Sequence, residues 1–282
     1  MFVRGTLYSS DKARPPMDVT KTFELRRGTA PLFISMPHTG TYLPADVAAR
    51  LTDAALRLPD TDWHLERLYD FVEGLEASVI IATHSRYAID LNRPPDQTSL
   101  YPGQDTTGLC PVDTFHRELL YREGQQPDAA EIQCRIDKYW EPYHAALRSE
   151  LDRLRGCYGR VVLWDAHSIC SVLPRFFEGR LQDLNLGSAG GAACDEALAQ
   201  LLLQIARSHS RYSAVLDGRF RGGYITRRYG RPGEGVHAIQ LELAQLTYMS
   251  EDHPYSFDES RASALRPVLT QMLKAALRWV RS

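Results

Sequence analysis

Short, continuously apolar segments that alternate with longer segments of helical period constrain the fold of this 282-residue sequence more than any other feature. Most of these runs lack the polar alternation of half-exposed strands and are typical of strands buried on both faces. They lie at 32–36, 78–82, 87–91, 161–164, 214–216 and 238–242. Apolar residues at helical spacing fall at 65–72, 132–154 and 265–276, where Pro142 predicts a kink. The alternation predicts an α/β fold, a three-layer α/β/α arrangement around a mixed, mostly parallel central sheet.

Two segments fall outside this alternation of strands and helices. We interpret residues 1–28 as an N-terminal extension of a single domain that spans 1–282. Residues 92–127 are rich in Pro, Gly, Asp and Thr, and they are too long for a simple connection between two elements. Long irregular segments of this kind often carry functional residues. We therefore expect 92–127 to form a long loop region on the active-site side of the sheet.

The charge and cysteine content exclude several classes of protein. The formal net charge is -2, and Lys and Arg are scattered along the chain, which argues against a nucleic-acid or anionic membrane partner. Five cysteines without a CxxC pair argue against a disulfide framework and against a cysteine-bound zinc cluster. The N-terminus lacks an apolar signal-peptide core, and no stretch approaches the ~18 apolar residues of a membrane span. These observations predict a cytoplasmic protein with a small-molecule partner and leave its oligomeric state open.

Polar residues that follow the apolar runs are the candidates for chemistry, because ligands bind beyond the carboxyl ends of strands in α/β sheets. His38 follows the first run, His167 follows the fourth, and Glu242 ends the last. Asp62 stands where a helical segment opens, a position at which an aspartate ordinarily serves as an N-cap. Two histidines, one carboxylate and an open position make a catalytic zinc site, and a further Glu can act as its base. The set His38, Asp62 and His167 with Glu242 satisfies that chemistry.

Two further segments carry donors suited to carboxylate oxygens. Segment 85–94 contains Arg86, Asn92 and Arg93, whose planar guanidinium and amide groups bind carboxylates well. Its ordinary interpretation is an ion pair between Arg86 and Asp90. Segment 220–227 contains a Gly-Gly pair that permits close ligand approach, and its ordinary interpretation is a turn. The residues of interest there are Arg221, Gly223, Tyr224 and Arg227.

Six blocks in this order resemble the N-formylglutamate amidohydrolase family. The blocks are Met36–Gly40, Asp60–Trp63, Arg86–Pro94, Trp164–Ser168, Arg221–Tyr224 and His237–Leu243. The resemblance extends from about Pro31 to Trp279. That family is related in architecture to zinc carboxypeptidases and to the aspartoacylase group. The resemblance therefore implies a phosphorylase/hydrolase-like fold of the zinc carboxypeptidase type.

The resemblance also implies roles for individual residues. His38 and His167 become metal ligands, Asp62 the carboxylate ligand, and Glu242 the general base. Asp60 and Glu66 lie near enough in sequence to compete with Asp62 for the ligand role. The metal is Zn²⁺, or another divalent transition metal. Asn92 and Arg93 resemble a pair that holds the terminal carboxylate of a substrate. Arg86 is a second anion-binding or carbonyl-polarising group. The remaining substrate-binding residues are Arg221, Gly223, Tyr224 and Arg227.

The activity implied by the resemblance is zinc-dependent hydrolysis of the formamide bond of N-formyl-L-glutamate. The products are formate and L-glutamate, and the reaction is the last step of a histidine degradation pathway. One alternative is a zinc amidohydrolase of the same fold that acts on another N-acylamino acid or a small peptide. A second alternative is a metal-free protein that binds acidic metabolites, which would keep the arginines but need neither the histidines nor Glu242.

Overall fold

A seven-stranded mixed sheet forms the centre of the protein in the computed structural model, which describes residues 21–100 and 103–282. Its strands are β1 (Phe23–Arg26), β2 (Leu32–Met36), β3 (Ser78–Ala82), β4 (Val161–Ile169), β5 (Leu184–Gly187), β6 (Ala214–Leu216) and β7 (Val236–Ala244). Their spatial order is β1-β3-β2-β4-β7-β5-β6. The central strands β3, β2, β4 and β7 are parallel, whereas β1 and β5 pair antiparallel with β3 and β7. The predicted α/β fold with a mixed, mostly parallel sheet is confirmed.

Helices pack on both faces of this sheet. They are α1 (Ala45–Ala48), α2 (Leu65–Leu68), α3 (Ala129–Arg135), α4 (Glu141–Tyr158), α5 (Glu196–Ser208), α6 (Tyr224–Tyr229) and α7 (Glu259–Arg281). Side chains alternate between the faces of a strand, so Leu32 and Ile34 of β2 pack in the cluster that contains α5 and α7, while Phe33 packs in the cluster that contains α4. Both clusters are apolar, which explains why the central strands carry continuous apolar runs. Within the described residues, no helix is both long enough and apolar enough to cross a bilayer.

The apolar run 87–91 is not a strand, and this part of the prediction is wrong. The backbone N–H of Ala88 donates to the carbonyl of Ser85 at 2.9 Å, which closes a turn, and the N–H of Asn92 donates to the Asp90 carboxylate at 2.8 Å. Tyr87 and Ile89 are nevertheless buried. Their apolar character therefore reflects burial under the loops and not a place in the sheet.

The ends of the sheet also differ from the sequence pattern. Strands β4 and β7 continue to Ile169 and Ala244, so His167 and Glu242 lie within strands and not beyond them. Strand β1 falls within the predicted extension 1–28, of which residues 1–20 lie outside the described residues. Segments 92–100 and 103–127 contain no helix or strand apart from isolated bridges. A single domain over 1–282 stays a prediction.

Pro142 changes the type of helix. Residues Ile136–Trp140 form a π-helical turn, and α4 begins at Glu141 with the proline in its first turn. Proline has no N–H to donate to the carbonyl four residues earlier, so an ordinary α-helix cannot run through this position without losing a hydrogen bond. The wider turn before Pro142 accommodates that loss within one continuous helical segment.

Buried His144 fastens α4 to the active-site side of the molecule. Its Nε2 atom lies 2.9 Å from the carbonyl oxygen of Leu91, its Nδ1 atom lies 2.9 Å from the Tyr229 hydroxyl, and its ring stacks on Trp140 at 3.8 Å. Burial lowers the pKa of His144 to about 3. The imidazole is therefore neutral in the folded protein at pH values where an unfolded histidine, with a pKa near 6.5, is protonated.

We expect acid to destabilise the fold partly through His144. Because its pKa is depressed by folding, its contribution is complete above pH ~6.5 and is lost as pH falls toward the folded value, by at most about 1.4 kcal/mol per pH unit. Urea unfolding at pH 7 and pH 5 should therefore show a smaller loss of unfolding free energy in His144→Gln than in wild type. Equal losses in the two proteins would contradict this prediction, since every other titrating group is common to both.

Candidate active site

Three buried side chains converge at the carboxyl ends of neighbouring parallel strands. His38 follows β2, His167 lies in the adjacent strand β4, and Asp62 lies in the segment that leads to α2. The N–H of Asp62 donates to the carbonyl of His38 at 3.0 Å, which ties that segment to the end of β2. One potential ligand atom from each of the three residues lies within 4.8 Å of the others. Sequence positions that are far apart therefore meet in one group.

The geometry of this group fits a metal ion. Nδ1 of His38 lies 3.8 Å and Nδ1 of His167 lies 3.1 Å from Oδ2 of Asp62. Nδ1 of His38 is buried and has no hydrogen-bond partner in the part of the chain that the structure describes, an arrangement that is costly unless another group satisfies the nitrogen. Two imidazole nitrogens, one carboxylate oxygen and an open fourth position are the ligand set of catalytic zinc sites. The residues present therefore fit zinc.

A second layer of acidic residues orients the histidines. Nε2 of His38 donates to Oδ1 of Asp90 at 2.7 Å, so its Nδ1 lone pair faces Asp62. Nε2 of His167 lies 3.2 Å from Oδ2 of Asp165 and 3.0 Å from the amide nitrogen of Asn92. Although burial lowers the pKa of His167, Asp165 and Asp62 outweigh it and hold that pKa well above the ordinary value. Carboxylate partners of this kind raise the basicity of ligand histidines and fix their orientation.

Asp62, and neither of its neighbours, joins the two histidines. Both carboxylate oxygens of Asp60 accept the N–H of Phe115, at 3.1 and 3.0 Å, so Asp60 holds the long loop. Burial raises the pKa of Asp60 to about 7. The cavity described below is lined by Asp62 but not by Asp60 or Glu66. Sequence favours Asp62 but leaves Asp60 and Glu66 as competitors, and the fold brings Asp62 to the two histidines.

Arg86 is buried in the wall of the site as part of an ion pair. Its Nη2 atom lies 2.6 Å from Oδ2 of Asp90, and its Nη1 atom lies 3.8 Å from Oδ1 of Asp62. Although burial raises the pKa of Asp90, His38 and Arg86 outweigh it and hold the pKa well below its ordinary value. Asp62 and Asp90 thus share the Arg86 guanidinium, so the carboxylates beside it carry more negative charge than Arg86 offsets, which favours a bound cation.

Glu242 occupies the position expected of a general base. In the parallel register of β4 and β7 it is the partner of His167, and its side chain lines the same cavity. The amide of Gln240 donates to its Oε2 atom at 3.2 Å. Burial raises the pKa of Glu242 to about 8, against the lowering influence of His167. A carboxylate with a pKa near the working pH can both accept and return a proton.

These groups open into a cavity of about 590 Å³, a volume that includes the space at its mouth. Its polar lining is His38, Asp62, Arg86, Asn92, Arg93, Asp105, Thr106, His167, Ser168, Arg219, Gln240 and Glu242, and its other lining residues are Phe115, Ile169, Phe176, Phe220 and Gly223. A lining that combines charged groups, amides and aromatic rings suits a small polar metabolite.

The predicted substrate-binding residues separate into two groups. Asn92, Arg93 and Gly223 line the cavity. A Cβ atom on Gly223 would lie 2.3 Å from Nδ2 of Asn92, so glycine is required here for packing. The others lie outside the lining: Arg221 and Arg227 are exposed, Arg227 donates to the carbonyl of Gly222 at 2.8 Å, and Tyr224 packs 5.6 Å from the ring of Trp140.

Sequence reasoning missed Arg219 and the aromatic part of the lining. Phe115 and Phe176 lie in long irregular segments, where no periodicity marks a residue as facing a cavity. Arg219 and Phe220 directly precede the block that begins at Arg221, and Arg219 carries the same chemistry as the arginines that were chosen. Only the turn after β6 decides which of these arginines faces inward.

Comparison with known proteins agrees with this geometry. A family model described as N-formylglutamate amidohydrolase matches residues 30–249. The chain is 49% identical to the N-formylglutamate deformylase of Pseudomonas putida over 92% of this chain and 97% of that protein, and 49% identical to that of Pseudomonas aeruginosa over 94% and 98%. A crystal structure of N-formylglutamate amidohydrolase from Ralstonia eutropha JMP134 matches with a TM-score of 0.79 and 26% identity, covering 92% of this chain and 98% of that one.

Proposed function

Because the chain belongs to the N-formylglutamate amidohydrolase family, we propose that it hydrolyses the formamide bond of N-formyl-L-glutamate to formate and L-glutamate in a zinc-dependent reaction. The observation that carries the proposal is the meeting of His38, Asp62 and His167 beside Glu242 in one cavity. A metal-free binding protein has no need for a cavity that combines a buried imidazole nitrogen, unpartnered among the described residues, with a glutamate of raised pKa. We also propose the related zinc carboxypeptidase-type fold, since His38 and His167 lie at the carboxyl ends of the parallel strands β2 and β4.

Zinc held by His38, Asp62 and His167 would supply Lewis acidity that polarises the formyl oxygen and favours ionisation of water. Glu242 takes the proton from the attacking water and returns it to the leaving nitrogen. That second transfer is needed because an amine anion is a poor leaving group. Arg86 remains paired with Asp90 and keeps a positive charge in the cavity wall, where negative charge develops on the formyl oxygen.

Arg93 and Asn92 hold the α-carboxylate of the substrate in this proposal. Nε of Arg93 donates to the carbonyl of Thr107 at 2.9 Å, and its Nη atoms donate to the carbonyl of Asn92 and the hydroxyl of Thr107 at 3.2 and 3.3 Å. All three acceptors are neutral oxygens, so these hydrogen bonds position the guanidinium of Arg93 without neutralising its charge. Asn92 adjoins His167, and Arg93 lines the same cavity and interacts electrostatically with Asp90, the partner of His38.

We place the reaction in the cytoplasm, at the end of a histidine degradation pathway. The five free cysteines are consistent with a reducing compartment. The pathway follows from the family and from the pair of products.

The test is formate release from N-formyl-L-glutamate by protein of known zinc content. We expect rapid turnover by zinc-replete protein and loss of turnover after chelation, with recovery on addition of zinc. N-acetyl-L-glutamate and a formylated dipeptide should be poor substrates in parallel assays. Turnover of either one in preference to N-formyl-L-glutamate would favour the broader N-acylamino acid or peptide activity. Binding of acidic metabolites without any turnover would favour a binding protein.

A further inference from the structure

Arg219 is a cationic residue of the cavity wall that lies on the segment following β6. Its Nε atom donates to the carbonyl oxygen of Phe176 at 2.5 Å. Its guanidinium lies 5.4 Å from the ring centroid of Phe220 and 5.9 Å from that of Phe176. Both aromatic rings also line the cavity. These contacts hold the guanidinium against a planar aromatic surface, where it is preorganised to bind a carboxylate.

The three cavity-lining arginines are not equivalent. Arg86 is committed to Asp90 at 2.6 Å, so its charge belongs to the inner wall. Arg93 interacts electrostatically with Asp90, the partner of His38, and so lies on the side of the reacting centre. Arg219 instead belongs to the aromatic wall formed with Phe176, whose ring packs edge-on against Phe115 at 5.1 Å. The cavity therefore has Arg86 and Arg93 on the side of the metal ligands and Arg219 on its apolar side.

A substrate with two carboxylates matches this arrangement. The α-carboxylate of an N-formylamino acid is attached to the carbon that carries the reacting nitrogen, so it must lie near the reacting centre. A side-chain carboxylate is separated from that carbon by methylene groups, which require an apolar surface. Arg93 is placed to bind the α-carboxylate. The aromatic rings beside Arg219 provide the apolar surface for the methylene groups, and Arg219 is placed to bind the side-chain carboxylate.

We propose that Arg219 binds the side-chain carboxylate and sets the preference of the site for acidic over neutral side chains. The inference rests on the proposed function and adds to it the residue that selects the substrate. Arg221, its exposed neighbour outside the lining, then has no part in selection. The two arginines form a matched pair for a test.

The experiment compares kcat/KM for N-formyl-L-glutamate and N-formyl-L-glutamine, which differ only in the charge and hydrogen-bonding groups of the side-chain terminus. In zinc-replete Arg219→Gln, we expect kcat/KM for the glutamate substrate to fall about 10- to 100-fold, mainly through KM, while turnover of the glutamine substrate stays near wild type. Arg219→Lys should keep part of the preference, and Arg221→Gln should keep all of it. Arg93→Gln should lower kcat/KM for both substrates by the same factor, because both carry the α-carboxylate.

The outcomes separate this inference from the proposed function. Equal losses for both substrates in Arg219→Gln, or a preference like that of wild type, would overturn the role of Arg219 even though the wild type is a deformylase. If the wild type turns over neither substrate, the proposed function fails. Calorimetric titration with L-glutamate and L-glutamine then decides on Arg219 by itself: loss of the discrimination between them in Arg219→Gln supports the role, and unchanged discrimination overturns it.

Discussion

Glu242→Gln should lower kcat for N-formyl-L-glutamate by about 100- to 10,000-fold while KM and zinc content stay near the wild-type values. Glutamine has almost the same shape as glutamate but cannot accept a proton from water at neutral pH. The carboxylate that it replaces is the register partner of His167 in the pairing of β4 and β7. Because the change removes a proton acceptor and keeps the shape of the side chain, we expect the loss in kcat and not in substrate binding. Steady-state kinetics with metal analysis of the same sample measure all three quantities.

Glu66→Gln is the matched control for this change. Glu66 is the acidic residue at the start of α2 that sequence alone left as a rival ligand, and it does not line the cavity. Its variant should retain turnover and zinc. A Glu242→Gln protein that turns over within a few-fold of wild type would show that Glu242 is not the base. A variant that loses its zinc would instead assign Glu242 to the metal site.

His38→Ala should release zinc and abolish deformylase activity with little loss of folded protein. The imidazole supplies the Nδ1 atom that has no hydrogen-bond partner among the described residues, so its removal takes away a ligand and leaves Asp90 still paired with Arg86. Loss of a hydrogen-bond partner of a ligand typically lowers metal affinity about 10- to 100-fold. Because His38 is itself a ligand, we expect its loss to lower zinc affinity further. Competition with a chromophoric chelator measures the affinity, and circular dichroism monitors the fold.

Two further variants sharpen this result. Asp90→Asn keeps a side chain of the same size beside His38 but removes the negative charge, so its zinc affinity should lie between wild type and His38→Ala. His209→Ala alters a histidine at the end of α5, outside the cavity lining, and should bind zinc as wild type does. If His38→Ala binds zinc with unchanged affinity, His38 is not a zinc ligand and the metal site lies elsewhere in the protein.

Position relative to the strands was the part of the site that could be predicted from sequence. His38 and His167 were chosen because they follow apolar runs, and parallel strands bring such residues together at one edge. The same reasoning failed for 87–91, since an apolar run reports burial and cannot distinguish a strand from a buried turn. Arg219 was missed for a related reason: loops have no period, so sequence gives no means of telling an inward arginine from an outward one.

The register between β4 and β7 also determines where the chain tolerates insertions and deletions. Each residue of β4 from Val161 to Ile169 has one partner in β7, and His167 meets Glu242 in that alignment. Because side chains alternate between faces, one residue inserted before Glu242 in β7 would turn its carboxylate toward the opposite layer of helices. Insertions between 103 and 127 disturb no strand pairing within the sheet. Divergence in length should therefore accumulate in the loop, while the spacing within the two strands stays fixed.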